Sequence, residues 1–358
     1  MSAAGAVRAL VEEGVDRGLF AGAAALVLED GSPIAEVYCG SARVEPESER
    51  SDASPDTLWD LASLTKPIAG AAILLALDDA RLLALDDPLS RFHDLYKKTK
   101  FDGVTLRRLL AHTAGVAAWF PLYVRGEGRS AYRRTLSELD AEAPPGTSTI
   151  SSCVGFLLLA DVAERVLGGE LDVFFRERFA APLGLARDLL FAPEGADRGR
   201  AAGGERDDAT ERWMVSERRL RYLGFRTGVV NGEANDGNAY RRGGGVSLNA
   251  GLFGTARAAA AIGQAWLGRD ARLLPEARFE EALGGALGWR PSAEEASARG
   301  VLSPRAFGHT GVTGASLFAD PGARRVFALL ANRLHPDARA GDMDGFRRRF
   351  HEAGLAIS

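Results

Sequence analysis

Both ends of the chain carry patterns typical of strands flanked by helices. Residues 3–17 place apolar side chains three or four positions apart, which predicts an amphipathic helix. The apolar runs 23–28 and 33–39 are separated by the turn sequence EDGS, which predicts a β-hairpin. In the last third, the apolar runs 313–320 and 325–331 flank a Pro-Gly pair and predict a second hairpin.

The middle of the chain has mainly helical patterns. Helices are predicted over the following ranges: 67–77, 82–95, 105–112, 129–139, 154–167, 171–183 and, after the middle, 256–267 and 342–353. Residues 192–212 are rich in Gly, Asp, Arg and Ala without periodicity, which predicts a long loop. Strands at both ends and helices between them indicate one antiparallel sheet with an inserted helical region.

We therefore predict an α+β fold. An antiparallel sheet flanked by the terminal helices forms an α/β sandwich from residues 1–68 and 245–358, and residues 69–244 form an inserted, mainly helical domain. Ligand sites often lie between two such domains.

Composition excludes several classes of function. The net charge is -4, whereas a nucleic-acid-binding domain usually carries a basic face. No apolar run approaches the roughly 20 residues that span a bilayer. The first 20 residues lack the basic and apolar regions of a signal peptide, so we expect a cytoplasmic protein, or a periplasmic one if a leader was trimmed.

Lysine is rare in this chain, and one lysine stands apart. Of the 44 basic residues only four are lysines: Lys66, Lys97, Lys98 and Lys100. The last three share a polar stretch, whereas Lys66 has apolar neighbours. A desolvated lysine can give up its proton, which arginine cannot do in a protein. Lys66 is therefore a candidate for proton chemistry.

Ser63 and Lys66 form the one Ser-x-x-Lys pattern in the sequence. At the start of a helix, positions i and i+3 lie on one face, which brings the two side chains within hydrogen-bond reach. A serine hydroxyl becomes a good nucleophile when a neighbouring base takes its proton. The pattern alone fits equally a serine helix cap beside a surface lysine.

Five ordered stretches resemble the serine β-lactamase and penicillin-binding-protein superfamily, most closely its class C β-lactamase-related esterases and D-amino-acid peptidases. They are TLWDLASLTKPIAG (57–70), TLRRLLAHTAG (105–115), PGTSTISSCVGFLLLADVAERVLG (145–168), ANDGNAYRRGGGVSLNAGLFGTA (234–256) and FGHTGVTGASLFADP (307–321). Their order and spacing agree over nearly the whole chain. The resemblance implies a β-lactamase/transpeptidase-like fold.

The resemblance also implies roles for single residues. Ser63 attacks a carbonyl carbon and is acylated, while Lys66 takes or relays its proton. The backbone N–H groups of Ser63 and Val312 form the oxyanion hole. The sheet side of the substrate cleft is lined by a short motif: His309, Thr310 and Gly311. His112 matches a position near a helix end that packs and caps rather than catalyses.

The second motif departs from the family pattern. Esterase-like relatives begin it with tyrosine, whereas the matching positions here are Ser151, Ser152 and Cys153. We predict that Ser151 holds the equivalent hydroxyl and shuttles a proton, and that Cys153 contacts substrate, although a thiol is a poor hydrogen-bond donor. Either Ser151 suffices with Lys66, or efficient turnover has been lost. A minor alternative is that Cys153, at a helix start, is itself reactive.

The sequence thus supports two hypotheses. The first is a serine hydrolase that acts through an acyl-enzyme on an ester, amide or β-lactam, without metal or cofactor. The alternative is a binding or sensor protein of the same fold with weakened chemistry. The expected partner is a small-molecule or peptide-like acyl substrate, not a nucleic acid or a membrane, and the pattern predicts no oligomeric state.

Overall fold

The structure is a computed structural model that describes residues 3–336, 338–339 and 341–357. Its strands are β1 (Gly22–Glu29), β2 (Ser32–Arg43), β3 (Ser51–Asp52), β4 (Trp59–Asp60), β5 (Leu189–Phe191), β6 (Gly203–Arg206), β7 (Val229–Asn231), β8 (Leu252–Gly254), β9 (Arg290–Pro291), β10 (Phe307–Thr310), β11 (Ser316–Asp320) and β12 (Arg325–Ala331).

One helix lies near each end of the chain, and the others lie between residues 72 and 284. They are α1 (Ala3–Asp16), α2 (Ala72–Asp79), α3 (Leu106–Leu110), α4 (Arg129–Glu138), α5 (Cys153–Leu167), α6 (Leu171–Phe175), α7 (Gly195–Arg200), α8 (Ala209–Glu217), α9 (Gly237–Gly243), α10 (Ala256–Leu267), α11 (Glu276–Gly284) and α12 (Met343–Leu355). No helix among the described residues is long and apolar enough to cross a membrane.

One seven-stranded antiparallel sheet is built from both ends of the chain, in the order β3-β2-β1-β12-β11-β10-β9. The β1–β2 and β11–β12 hairpins are the two that the apolar runs predicted. The predicted α+β fold class is confirmed, and the domain boundaries at residues 68 and 245 stay a prediction.

Strand β1, which lies between β2 and β12, is buried on both faces, to which its successive side chains point alternately. Ala23, Ala25 and Val27 pack in the same core as α1 and α12. Leu26 and Leu28 face the other core, which includes α10 and the helical region. The sheet is therefore the middle layer of a three-layer sandwich.

The predicted helix over 82–95 is wrong. This segment contains only two single 3₁₀ turns, Leu89–Arg91 and Asp94–Tyr96. The Asp87 carboxylate accepts a hydrogen bond from the Ala84 backbone N–H over 2.8 Å, so a local side chain competes with helical bonding. Pro88 follows and has no N–H to donate.

The predicted loop over 192–212 is also wrong, because it contains helix α7 and strand β6. The segment is held by charge and edge pairing rather than by an apolar face. Arg200, at the end of α7, pairs with Asp188 over 2.5 Å and with Asp197 over 3.0 Å. Ala201 then forms a parallel bridge with Leu58, just before β4.

Candidate active site

A short strand and a single turn fix the segment that carries the predicted nucleophile. β4 pairs with β8, and the Leu61 N–H donates to the Leu252 carbonyl over 2.9 Å. Ala62 then has a φ of 47°, in the left-handed region, which costs roughly 1–2 kcal/mol for a residue with a Cβ atom. Ser63 follows within the 3₁₀ turn Ala62–Leu64. Strained backbone of this kind is concentrated at functional sites.

Lys66 lies against Ser63, as the spacing predicted. The Lys66 Nζ atom is 2.7 Å from the Ser63 Oγ atom and donates to the Asn249 carbonyl over 3.2 Å. Lys66 is only 2% exposed. The lysine ion pairs that the described residues form involve Lys97 and Lys100 instead. The Lys66 amine therefore faces the serine without a carboxylate partner.

The two backbone N–H groups predicted to form the oxyanion hole are free to bind a ligand. In the described ranges, neither Ser63 N–H nor Val312 N–H has a hydrogen-bond partner. Gly311 lies so close to the nucleophile segment that a Cβ atom there would be 3.0 Å from the Leu61 carbonyl and 3.2 Å from Ala62 Cβ. The segments that carry the two groups are thus in contact, as an oxyanion hole requires.

The His309 imidazole at the end of β10 is buried and neutral. Burial, and next the positive charge of Lys66, lower the pKa of His309 well below its usual value of 6.5. Its Nδ1 atom lies 2.7 Å from the Thr310 carbonyl, so Nδ1 carries the proton and donates. The other ring nitrogen, Nε2, is buried without a partner among the described residues. His309 is therefore not a proton donor to a substrate at pH 7.

The opposite side of the site is the start of α5, where Ser152 is a structural cap. The Ser152 hydroxyl accepts from the Gly155 N–H over 2.9 Å and donates to the Ala117 carbonyl over 2.5 Å. Ser151 is exposed, and the described part of the chain offers it no hydrogen bond. The catalytic role predicted for Ser151 stays a prediction.

Cys153 is a half-buried free thiol at the first position of α5. Burial raises the pKa of its thiol, while the charge of Lys66 and a side-chain hydrogen bond with Lys66 act in the opposite direction. Burial prevails, so the thiol is protonated at pH 7. Lys66 thus lies between the hydroxyl of Ser63 and the thiol of Cys153.

His112 supports the α5 side. Its Nδ1 atom accepts from the Ser152 N–H over 3.0 Å, so the proton of the neutral ring is on Nε2. Burial, followed by the charges of Lys66 and Arg290, lowers the pKa of His112 to about 3. It packs on Phe156 with 5.3 Å between ring centroids. These contacts agree with the packing and capping role that the sequence indicated.

Comparison with known proteins identifies the family. A family model described as Beta-lactamase matches residues 7–351. This chain belongs to the β-lactamase family. It is 28% identical over 337 residues to a putative D-alanyl-D-alanine carboxypeptidase of Escherichia coli (strain K12), covering 84% of this chain and 74% of that protein.

Solved structures of similar proteins show the same fold. A penicillin-binding-protein homologue from Caulobacter crescentus superposes with a TM-score of 0.74 at 22% identity, covering 100% of this chain and 98% of that one. A family VIII carboxylesterase gives a TM-score of 0.74 at 19% identity, with the same coverage. The β-lactamase/transpeptidase-like fold is thereby confirmed.

In this β-lactamase family member, polar residues that the sequence analysis did not identify fix the carbonyl group that Lys66 contacts. The Asn249 side chain accepts from Ser247 Oγ over 2.8 Å and donates to Asp236 Oδ1 over 3.0 Å, which fixes the backbone carbonyl that Lys66 contacts. Both Ser247 and Asn249 are fully buried. A polar residue inside an apolar stretch was the available signal, since buried polar groups are nearly always hydrogen-bonded.

The described residues contain no cluster of three or more His, Cys, Asp or Glu suited to a metal ion. The β-lactamase family site brings together a hydroxyl, an adjacent amine and two backbone N–H groups that have no partner among the described residues.

Proposed function

We propose that the chain is a serine hydrolase that cleaves an ester, amide or β-lactam through an acyl-enzyme on Ser63. The observation that carries this proposal is the 2.7 Å contact between Lys66 Nζ and Ser63 Oγ. The proposed reaction also requires donors for the oxyanion. The N–H groups of Ser63 and Val312, which are unpaired among the described residues, can bind it.

The proposed reaction has two halves. Lys66 takes the Ser63 hydroxyl proton while Oγ forms a bond to the substrate carbonyl carbon. The resulting oxyanion binds the two N–H groups, and its collapse breaks the bond to the leaving group, which receives the proton from Lys66. Water then attacks the acyl carbon, gives a proton to Lys66, and the second collapse returns that proton to Ser63.

The lowered pKa values of two histidines restrict the assignment of the proton carrier. The pKa of His112 is lowered to about 3 and that of His309 lies well below 6.5, so both rings are weak proton acceptors. Lys66 is therefore the group that we assign to both proton transfers. Ser151 is a second proposed carrier, and His309, Thr310, Gly311 and Cys153 are proposed to contact the substrate.

The test is hydrolysis of p-nitrophenyl butyrate by the wild type, Ser63→Ala and Ser130→Ala. Ser130 is an exposed serine on α4 and is the matched control. We expect the wild type and Ser130→Ala to release p-nitrophenol equally and Ser63→Ala to match the buffer rate. Wild-type activity that survives in Ser63→Ala would refute the assignment of the nucleophile.

The class of substrate, whether ester, amide or β-lactam, is tested with the same three proteins. A peptide ending in D-Ala-D-Ala and a chromogenic cephalosporin extend the assay from esters to amides and β-lactams. The peptide is included because the Escherichia coli relative is named a putative D-alanyl-D-alanine carboxypeptidase.

A binding or sensor protein is the second candidate. It is favoured by the α5 side of the site, where Ser152 is occupied as a helix cap and Ser151 is exposed and unbonded among the described residues. A sensor would be phosphonylated at Ser63 by a fluorophosphonate and acylated there by a β-lactam, but it would not release the acyl group. Labelling without turnover on all three substrate types would select this alternative.

A further inference from the structure

The Asp60 carboxylate is buried three residues before the nucleophile, and both of its oxygens accept hydrogen bonds. It is 7% exposed. Its Oδ1 atom accepts from the Ala62 N–H over 2.8 Å, and its Oδ2 atom accepts from both the backbone N–H and the side-chain amide of Asn235, each over 2.8 Å. Three donors on one buried carboxylate make a rigid junction.

The first of these bonds acts on the backbone that orients Ser63. Ala62 has a φ of 47°, and its conformation sets the plane of the Ala62–Ser63 peptide. That peptide contains the Ser63 N–H, one of the two proposed oxyanion donors. By accepting the Ala62 N–H, Asp60 holds this residue in a conformation that alanine rarely adopts.

The second oxyanion donor is tied to the same residue. The Thr313 hydroxyl donates to the Asp60 carbonyl over 2.8 Å, and Thr313 directly follows Val312. Thr313 is 3% exposed, so this bond is sheltered from water. Asp60 therefore bonds the residues adjacent to both N–H groups, Ala62 through its carboxylate and Thr313 through its backbone carbonyl.

Asn235 anchors the carboxylate from the far side. Its Oδ1 atom accepts from the Glu205 N–H over 2.9 Å on strand β6. Asn235 is itself 5% exposed. The junction thus joins the nucleophile segment, the end of β10 and the segment that returns from the helical region.

We propose that Asp60 is a positioning residue that sets the separation and direction of the two oxyanion-hole N–H groups. The inference rests on the proposed function, because it assumes that Ser63 forms an acyl-enzyme. A positioning role of this kind affects the transition state more than substrate binding, since the oxyanion exists only after attack.

The experiment compares Asp60→Asn with a matched control, Asp320→Asn. Asp320 is also buried, and its carboxylate accepts from the Ser303 and Gly322 N–H groups, each over 2.8 Å, on another part of the sheet. In Asp60→Asn, an amide N–H group replaces one carboxylate oxygen and meets a donor of Ala62 or Asn235. Each protein is titrated with a fluorophosphonate so that kcat is expressed per active site.

We expect kcat of Asp60→Asn on p-nitrophenyl butyrate to fall about 10- to 100-fold with KM nearly unchanged, less than the ~10²–10³-fold loss on removing a donor outright. Inhibition by a boronic acid, which forms a tetrahedral adduct on serine, should weaken in parallel. Asp320→Asn is expected to lose thermal stability but to keep the wild-type kcat per titrated site and the wild-type boronate affinity.

A second variant covers the case in which Asp60→Asn does not fold. Thr313→Val removes only the hydroxyl that bonds the Asp60 carbonyl, and we expect a smaller fall in kcat and in boronate affinity at constant KM.

An unchanged kcat per site in the variants, or a loss confined to KM, would overturn the inference and leave the proposed function intact. A wild type that neither turns over nor labels would instead overturn the proposed function, and this inference with it.

Discussion

The two sides of the candidate active site differ in how their polar side chains are hydrogen-bonded. On the nucleophile side, the Asp60 carboxylate accepts three hydrogen bonds, one of which holds the strained Ala62 over 2.8 Å. On the α5 side, the Ser152 hydroxyl is used as a helix cap, and Ser151 is exposed. For the proposed reaction, this difference means that attack and oxyanion binding are preorganised, whereas a second proton carrier is not. The proposed mechanism therefore assigns proton transfer to Lys66.

The largest expected effect tests the assignment of proton transfer to Lys66. We expect Lys66→Arg to reduce kcat by roughly 10²–10⁴-fold, the usual contribution of a positioned general base, because guanidinium keeps the charge but cannot take a proton. Lys97→Arg, at an exposed position, is the control. Retention of activity in Lys66→Arg would move the base to another group and remove the contrast between the two sides.

Acid should destabilise the protein from both sides of the site. The lowered pKa values of His112 (about 3), His309 and His351 (about 4) mean that the unfolded chain binds protons that the folded chain does not. The stability that these histidines contribute is therefore fully present above pH 6.5 and falls as the pH drops, by about 1.4 kcal/mol per pH unit for each of them, whereas buried Glu211, whose pKa is raised to about 8, acts in the opposite direction. Urea unfolding at pH 7 and pH 5 measures this loss.

The variant His112→Asn measures how much His112 alone contributes to the loss of stability in acid. Asparagine tolerates the left-handed φ of 59° at this position and can accept the Ser152 N–H as the ring does. We expect the loss between pH 7 and pH 5 to be smaller than in the wild type by the share of one histidine. The same slope in variant and wild type would show that His112 does not contribute.

The adjacent serines of the α5 side should differ in stability. Ser152→Ala removes an N-cap and is expected to lower the free energy of unfolding by about 1 kcal/mol. Ser151→Ala, at an exposed position without a bond to a described residue, should leave it unchanged. Denaturant unfolding measures both. If Ser151→Ala alone lowers kcat at constant stability, the predicted catalytic role of Ser151 is supported.

The smallest expected effect concerns the Cys153 thiol. In a Cys39→Ala background, alkylation of Cys153 by iodoacetamide should be slow at pH 7, since burial raises the pKa of this thiol. Lys66→Met removes the charge that opposes this rise, so alkylation should slow by a few-fold more. Faster alkylation in Lys66→Met would show that Lys66 shields the thiol rather than lowering its pKa.

Much of this site was predictable because its chemistry is local in sequence. Ser63 and Lys66 are three residues apart, and the helical geometry that follows brings Nζ to Oγ. The apolar runs likewise predicted the β1–β2 and β11–β12 hairpins of the main sheet. Such features depend on neighbours along the chain, which a sequence displays directly.

Two of the features that sequence reasoning missed depend on distant pairings. The contacts of Asp60 with Asn235 and of Asn249 with Lys66 join positions more than 170 residues apart. The 82–95 segment was mispredicted because Asp87 bonds the backbone locally. The 192–212 segment was mispredicted because ion pairs of Arg200, rather than an apolar face, hold it.

The central claim, an acyl-enzyme on Ser63, is tested most directly by trapping the acyl group. The protein is mixed with excess p-nitrophenyl butyrate, quenched in acid during turnover, and analysed by intact and peptide mass spectrometry. We expect one butyryl group on the peptide that contains Ser63, and none in Ser63→Ala. A butyryl group on Cys153, or rapid turnover by the wild type with Ser63 never acylated, would contradict the proposed mechanism.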